Sequence, residues 1–323
     1  MQIIILLFML SFFASPHEAS AAGFDCNKAT TKIEKTICKD PYLSEADERL
    51  SVLYKLALNK TKDKESLVQS QKKWLKRRNA ENFSEYLLKS YKDRILELDD
   101  PIIIPISSIQ SSGEGFLKRN DIERVDISDC RVSESGIIGG IDNRTFHFAL
   151  YCIIPDFASE EGNCNTTSRN AVHYGKRGLS VFVQDGTSKE LKLILDRGSF
   201  DIGLYTYHKP EIVPNAFGKF LYIPIELDGT GHGNESDYYI WDNELRGWKP
   251  LNSTRWLEDL SKYLPPGTFV GSGVWPNILS MTAEIYLSRK NDPNCCPSGG
   301  IALVKLKVKD DRFQIDSVKI NKN

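Results

Sequence analysis

Apolar positions recur at helical spacing through the first third of the chain and at strand spacing beyond it, with the change of period near residue 99. Leu43, Ala46, Leu50, Leu53, Tyr54 and Ala57 form one stripe. It predicts a helix capped by Asp40, with Pro41 at its first position, where a missing N–H costs nothing. A second stripe runs through Leu67, Gln71, Trp74, Leu75 and Arg78. A third runs through Leu87, Leu88, Tyr91, Ile95 and Leu98, opened by Asn82-x-x-Glu85, a capping box in form. Ahead of these, Thr31-x-x-Glu34 is another capping box, for a short helix that ends near Cys38. The four segments predict a small helical bundle over residues 24–98.

Residues 99–112, DDPIIIPISSIQSS, break this pattern. Each proline disfavours helix at the residue before it, so this run is the expected linker. Short apolar or alternating runs follow at 146–154, 179–184, 191–195, 220–227, 238–241, 282–287, 302–308 and 313–320, bounded by Gly, Asn, Asp or Pro. One helical pattern interrupts them, Trp256, Leu257, Leu260, Tyr263 and Leu264, and Pro265-Pro266-Gly267 stops it. The expected fold class is α+β in two domains: a disulfide-stapled helical bundle, then a mainly antiparallel β domain with one short helix over residues 113–323. The strand spacing is uneven, and no propeller repeat is seen in it.

Residues 3–14, IIILLFMLSFFA, are one apolar run, too short to span a bilayer comfortably and followed by Ala19-Ser20-Ala21. Residues 1–22 are therefore expected to be a secretory signal, although no Lys or Arg precedes the run. All seven cysteines lie after it, in an oxidising compartment on this reading. Cys26 and Cys38 bracket a helix start, and a bond between them would staple the bundle by on the order of 3 kcal/mol. Five cysteines then remain for two bridges. Cys152 and Cys164 flank a polar loop. Cys130 has Cys295 or Cys296 as a partner, and a vicinal Cys295–Cys296 bridge competes with both. Seven is odd, so one thiol is left over or pairs between chains.

The runs FDCxKAxTxxExxIC, DPxLSxxDxxLxxxY, QxxWLxxRN and YxxRIxEL, in that order over residues 24–98, resemble the LprI-type N-terminal domain, a lysozyme-inhibitor-like module of exported bacterial proteins. The resemblance implies a helical binding module without catalytic groups, a protein partner such as a lysozyme, and a bacterial host. Members often carry a second cysteine pair where this chain has Glu81 and Tyr86. The resemblance therefore implies one bridge here and a looser join between the last two helices. The β half carries no family resemblance.

Charge modifies this picture. The total of −1 hides an asymmetry: residues 24–98 hold 17 Lys+Arg against 12 Asp+Glu, and residues 99–323 hold 25 against 30. A solvated helical surface is the ordinary reading of the basic half, and a site for an acidic polymer is the other. Animal-type lysozymes are usually basic, so long-range steering opposes docking on this module, and contact must come from a local acidic or apolar patch or from the acidic half.

The β half offers two tempting stretches. In Asp228-Gly-Thr-Gly-His-Gly-Asn-Glu-Ser-Asp237, Asp228, His232 and Asp237 are of metal-binding or ligand-binding type, and three glycines allow close backbone approach. A strand follows, whereas a phosphate loop wants a helix, so a flexible hairpin loop is the ordinary reading. Asn294-Cys-Cys-Pro-Ser-Gly-Gly300 lacks the CxxC spacing of redox sites and reads as a structural turn. His147 alternates with Phe146 and Phe148 and is expected to point off a buried strand face. No GxSxG, HxxxH or basic–aromatic run is present, so no catalytic centre, metal, cofactor or nucleic acid is implied.

The expected function is that of an exported binding protein, periplasmic or secreted, of the lysozyme-inhibitor type. The alternatives are an envelope hydrolase with its site around residues 228–237, and a structural adaptor that recognises an envelope protein or glycan. No membrane span is expected after signal cleavage. Export should remove residues up to Ala21 or Ala22, and N-terminal sequencing of protein from the envelope fraction checks this. An intact Met1 or a lipid-modified cysteine would refute it.

Overall fold

In the computed structural model, residues 23–80, 84–99, 103–106, 130–153, 176–198, 205–227, 236–293 and 295–321 are described. The expected signal segment lies outside them.

The N-terminal part is helical: α1 (Lys32–Lys39), α2 (Pro41–Lys60), α3 (Lys64–Asn79) and α4 (Ser84–Leu98). Local chemistry sets the starts. The Glu34 backbone N–H donates to Thr31 Oγ1 (3.2 Å), and Glu34 Oε2 accepts from the Thr31 N–H (2.8 Å), closing the capping box. Those donated hydrogen bonds hold the Glu34 carboxyl below its usual range. Asp40 Oδ1 accepts from the N–H groups of Tyr42 (3.0 Å) and Leu43 (3.2 Å), with Pro41 at the first helical position. Asp63 caps α3 through Ser66 N (3.0 Å).

The apolar stripes meet as predicted, with Ile33, Ile37, Leu43, Leu50, Trp74, Leu87, Tyr91 and Ile95 in one buried cluster. Cys26, in a 3₁₀ turn over Cys26–Lys28, is bonded to Cys38 near the end of α1, with Cα atoms 5.8 Å apart. Polar contacts join α3 to α4. Trp74 Nε1 donates to Ser90 O (3.2 Å), and Arg94 reaches back to Gln71 (2.9 Å) and Ser70 (2.8 Å). Arg78 donates to the Tyr91 hydroxyl (2.9 Å) and to Asp47 (3.3 Å), and Tyr91 also donates to Asp47. The Tyr86 side chain and Glu81 lie outside the described residues.

The rest is antiparallel β. The first sheet has β1 (Ile103–Pro105), β2 (Cys130–Ile141), β3 (Arg144–Ile153), β4 (Lys176–Asp185) and β5 (Glu190–Gly198), in the order β1-β5-β4-β3-β2. β1 lies inside the run expected as a linker, and it pairs Ile103 with Lys192 and Pro105 with Glu190 as an edge strand. β6 (Tyr205–Tyr207) and β9 (Ile225–Leu227) form a two-stranded ribbon. The second sheet has β7 (Glu211–Asn215), β8 (Gly218–Ile223), β10 (Asp237–Asp242) and β11 (Gly247–Pro250), in the order β11-β10-β8-β7. After α5 (Arg255–Leu260), the third sheet follows in sequence order: β12 (Thr268–Val270), β13 (Thr282–Arg289), β14 (Ile301–Lys309) and β15 (Arg312–Asn321).

The second sheet is the shared middle layer. Leu221, Ile223 and Tyr239 pack with Phe148, Val181 and Leu195 of the first sheet. Phe220 and Tyr238, on the other face, pack with Trp256, Leu260, Ile285, Val304 and Phe313 of α5 and the third sheet. This explains why residues 238–241 do not alternate: β10 is covered on both faces, and such strands read as continuous apolar runs.

His147 corrects an expectation for a similar reason. It is 4% exposed, registers opposite Phe182, and has Nε2 2.9 Å from Gln184 Oε1. Both faces of β3 are buried there.

Replacing Cys26 by Ser should cost about 2–4 kcal/mol, because the bridge ties the incoming chain to the end of α1. Denaturant melting beside peptide mapping without reductant checks this, and free thiols with unchanged melting would remove the staple.

Candidate functional site

Helical spacing places Lys89 and Asp93 four apart, on one face of α4. β5 ends its apolar run in Asp196-Arg197, and β10 begins with Asp237. These parts converge where the bundle meets the β half. Arg197 is only 3% exposed. Its Nη1 and Nη2 form a fork on the Asp93 carboxylate (2.8 and 3.1 Å), and its Nε donates to Asp237 Oδ2 (3.0 Å). The second Asp237 oxygen accepts from Lys89 Nζ (2.9 Å). The Tyr239 hydroxyl closes the network against Arg197, with the guanidinium 5.8 Å from the ring centroid.

Two cations thus share two carboxylates. Burial alone pushes the Asp237 carboxyl up, but Lys89 and Arg197 outweigh it and hold it below the usual carboxylate range. Burial opposes the charge on Arg197, and Asp93, Tyr239 and Asp237 raise its pKa all the same. Burial raises Tyr239 well above the usual phenol range, so it remains a neutral hydroxyl.

The network forms the floor of a cleft of about 590 Å³. One wall is the C-terminal half of α3, and the other runs from β11 to α5 and the start of β15. Further contacts tie the walls together. Arg255 Nη1 donates to Ala80 O (2.8 Å), and Arg77 pairs with Asp311 (3.6 Å). Asp311 is held in place by the two-residue turn between β14 and β15, where Asp310 and Asp311 both take positive φ (56° and 54°), the geometry of a tight hairpin turn.

Of the residues singled out in the sequence, Asp237 is the one this arrangement uses, as a partner of two cations. Asp228 and His232 lie outside the described residues. Among those residues, no group of three His, Cys, Asp or Glu is placed to hold a metal ion. Cys295 and Cys296 are bonded to each other, in a turn where the Asp292 carboxylate accepts from Arg289 N (2.7 Å), Ser298 N (2.7 Å) and Ser298 Oγ (2.7 Å). The backbones of Cys130 and Cys152 sit on the paired strands β2 and β3. Their side chains, and Cys164, lie outside the described residues. Lys89, Asp93 and Arg197 escaped the sequence reading. The one signal for Arg197 was a charge at the end of an otherwise apolar run.

A second surface lies on the outer face of α2. Tyr42, Glu45, Arg49, Val52 and Leu56 repeat at three and four positions, so they form one line. Tyr42, Val52 and Leu56 are 66%, 52% and 48% exposed, while Arg49 is turned to Asp99 (3.2 Å). No helix among the described residues is long and apolar enough to cross a membrane.

Asp237→Asn would remove the carboxylate charge that Lys89 and Arg197 share, and should cost about 3–5 kcal/mol. The Asp237 pKa is lower folded than unfolded. Its stabilisation is therefore complete above about pH 4 and is lost as pH falls through the folded value. Urea melts of wild type and variant between about pH 3 and pH 7 should show this acid limb in the wild type and a flatter one in the variant.

A search of curated proteins finds no match to this chain. The match to protein families begins at the stapling cysteine and runs past α4 through β1, and the remainder of the chain matches no family. Residues 26–111 thus carry the domain of the family described as lysozyme inhibitor LprI.

Proposed function

We propose that the protein is an exported binding protein of the bacterial envelope, periplasmic or secreted, whose N-terminal bundle blocks a lysozyme. The match of residues 26–111 to a lysozyme-inhibitor family carries this reading. The proposal includes a two-unit organisation, with the bundle over residues 24–98 and the β unit over residues 113–323. The outer face of α2 supports it by supplying the local apolar patch that a basic enzyme requires: Tyr42, Val52 and Leu56, with Glu45 between them. Exposed aromatic and aliphatic groups rimmed by charge are typical of protein-binding faces. The acidic side chain on that line favours a cationic partner.

The hydrolase alternative needs a reactive group around residues 228–237. Asp237, the member of that loop at the site, is committed to Lys89 and Arg197, which favours binding over hydrolysis. The adaptor alternative has no specific observation in its favour.

The test is a cell-wall turbidity assay with a basic lysozyme and the mature protein. The wild type should inhibit. Val52→Lys with Leu56→Lys, both at exposed positions, should weaken inhibition about tenfold or more, the loss expected when central contacts are removed and like charge is added. Full lysozyme activity at saturating wild-type protein would defeat the proposal, and undiminished inhibition by the double variant would take the contact off α2.

A further inference from the structure

The cleft between bundle and β half has a composition that lysozyme binding does not explain. Its lining carries nine Lys and Arg against four Asp. Much of this charge is already matched. Lys89 and Arg197 are balanced by Asp93 and Asp237 on the floor. Arg78 is paired with Asp47, Arg77 with Asp311, and Lys249 with Asp242. Lys73 and Lys76 remain, three apart and exposed on the cleft side of α3, and across from them stand Arg255 and Arg312.

Arg312 is the telling residue. Its Nε is buried and has no hydrogen-bond partner among the described residues. A buried N–H without an acceptor is costly, and native structures seldom leave one unfilled without a reason. Arg255 spends one Nη on Ala80 O, which leaves the rest of its fork. Asp259 of α5 feels the charge of both arginines but is itself bonded to Lys262 (2.5 Å). Asp310, exposed at the turn, is the one lining carboxylate with no ion pair among the described residues, and it reduces the excess without removing it.

We propose that this cleft binds a small ligand through an oxyanion group, a phosphate or a carboxylate, held by Arg312 and Arg255 on one wall and by Lys73 and Lys76 on the other. The planar guanidinium fork matches the paired oxygens of both groups. A cleft of like sign concentrates such anions, and a volume of about 590 Å³ is in the range of small-molecule sites. The site is separate from the α2 face and does not rest on the lysozyme reading.

The experiment is calorimetric titration of the intact mature protein with inorganic phosphate and, separately, with succinate, against sodium chloride at matched ionic strength. One saturable site is expected for at least one of the two anions and not for chloride; the anion that binds identifies the group. Arg312→Gln should weaken that binding about tenfold or more, the loss of one charge-assisted contact. The exposed pair Lys73→Gln and Lys76→Gln should weaken it as well while leaving the melting temperature unchanged, and it serves as the test where Arg312→Gln does not fold. Absence of saturable binding to both anions, or binding that the folded variants leave unchanged, overturns the proposal. The double lysine variant should inhibit lysozyme as the wild type does, so failure of either proposal leaves the other readable.

Discussion

A guanidinium that cannot lose its proton sits 3% exposed at the centre of this protein. Taking such a charge out of water costs several kcal/mol unless opposite charges meet it in good geometry. Arg197 meets that condition with carboxylates from two distant parts of the chain, Asp93 on α4 and Asp237 on β10. Each has its own exact donors, so the bundle and the β half are held in one mutual orientation. The peripheral ties, Arg255 to Ala80 and Arg77 to Asp311, fit that orientation. Strand alternation completes the arrangement. The carboxylate of Asp196, the residue before Arg197, accepts instead from the hydroxyls of Ser180 (2.7 Å) and Tyr151 (3.2 Å). Adjacent charges of opposite sign are thereby buried in separate surroundings.

What the sequence disclosed was mostly local. The caps at Thr31 and Asp40 depend on residues within four positions, so spacing reveals them. The eight strands expected from apolar runs all have counterparts, in β3, β4, β5, β8 with β9, β10, β13, β14 and β15. Three of the strands that escaped notice carry breakers: β2 contains Ser135-Gly136 and Gly139-Gly140, β7 contains Pro214, and β11 is four residues ending in Pro250. Edge positions tolerate these residues, as the sheet orders put β2, β7 and β11 at edges. The cleft was illegible for a different reason. Its defining contacts join residues 104 and 148 positions apart, a separation at which no periodicity speaks. Asp237 drew attention as a ligand-binding type in a glycine-rich loop, and its actual partners are cations that the sequence places far away.

The charge asymmetry takes on another meaning in the folded chain. The basic half is not uniformly turned to solvent: Lys89 meets Asp237 and Arg77 meets Asp311, each a cation of the bundle on an acid of the β half. Complementary charge of this kind orients two surfaces as they meet and penalises wrong pairings. Part of the bundle's excess is consumed internally, which lowers the repulsion a cationic partner would feel at α2. Lys73 and Lys76 place part of the excess left over in the cleft, away from that face.

The double burial of β10 has a consequence for how the chain can misfold. Tyr238 belongs to one core and Tyr239 to the other. In a strand with one wet face, a slip of one residue against its neighbour trades buried for exposed groups. Here a slip would trade two apolar interiors of similar polarity, and hydrophobicity alone would scarcely object. The ion network supplies the objection. Moving β10 by one position would carry the Asp237 carboxylate to the opposite face, away from Lys89 and Arg197. The charges at the head of the strand therefore act as an alignment pin, selecting one of two pairings that the aromatic residues by themselves distinguish poorly.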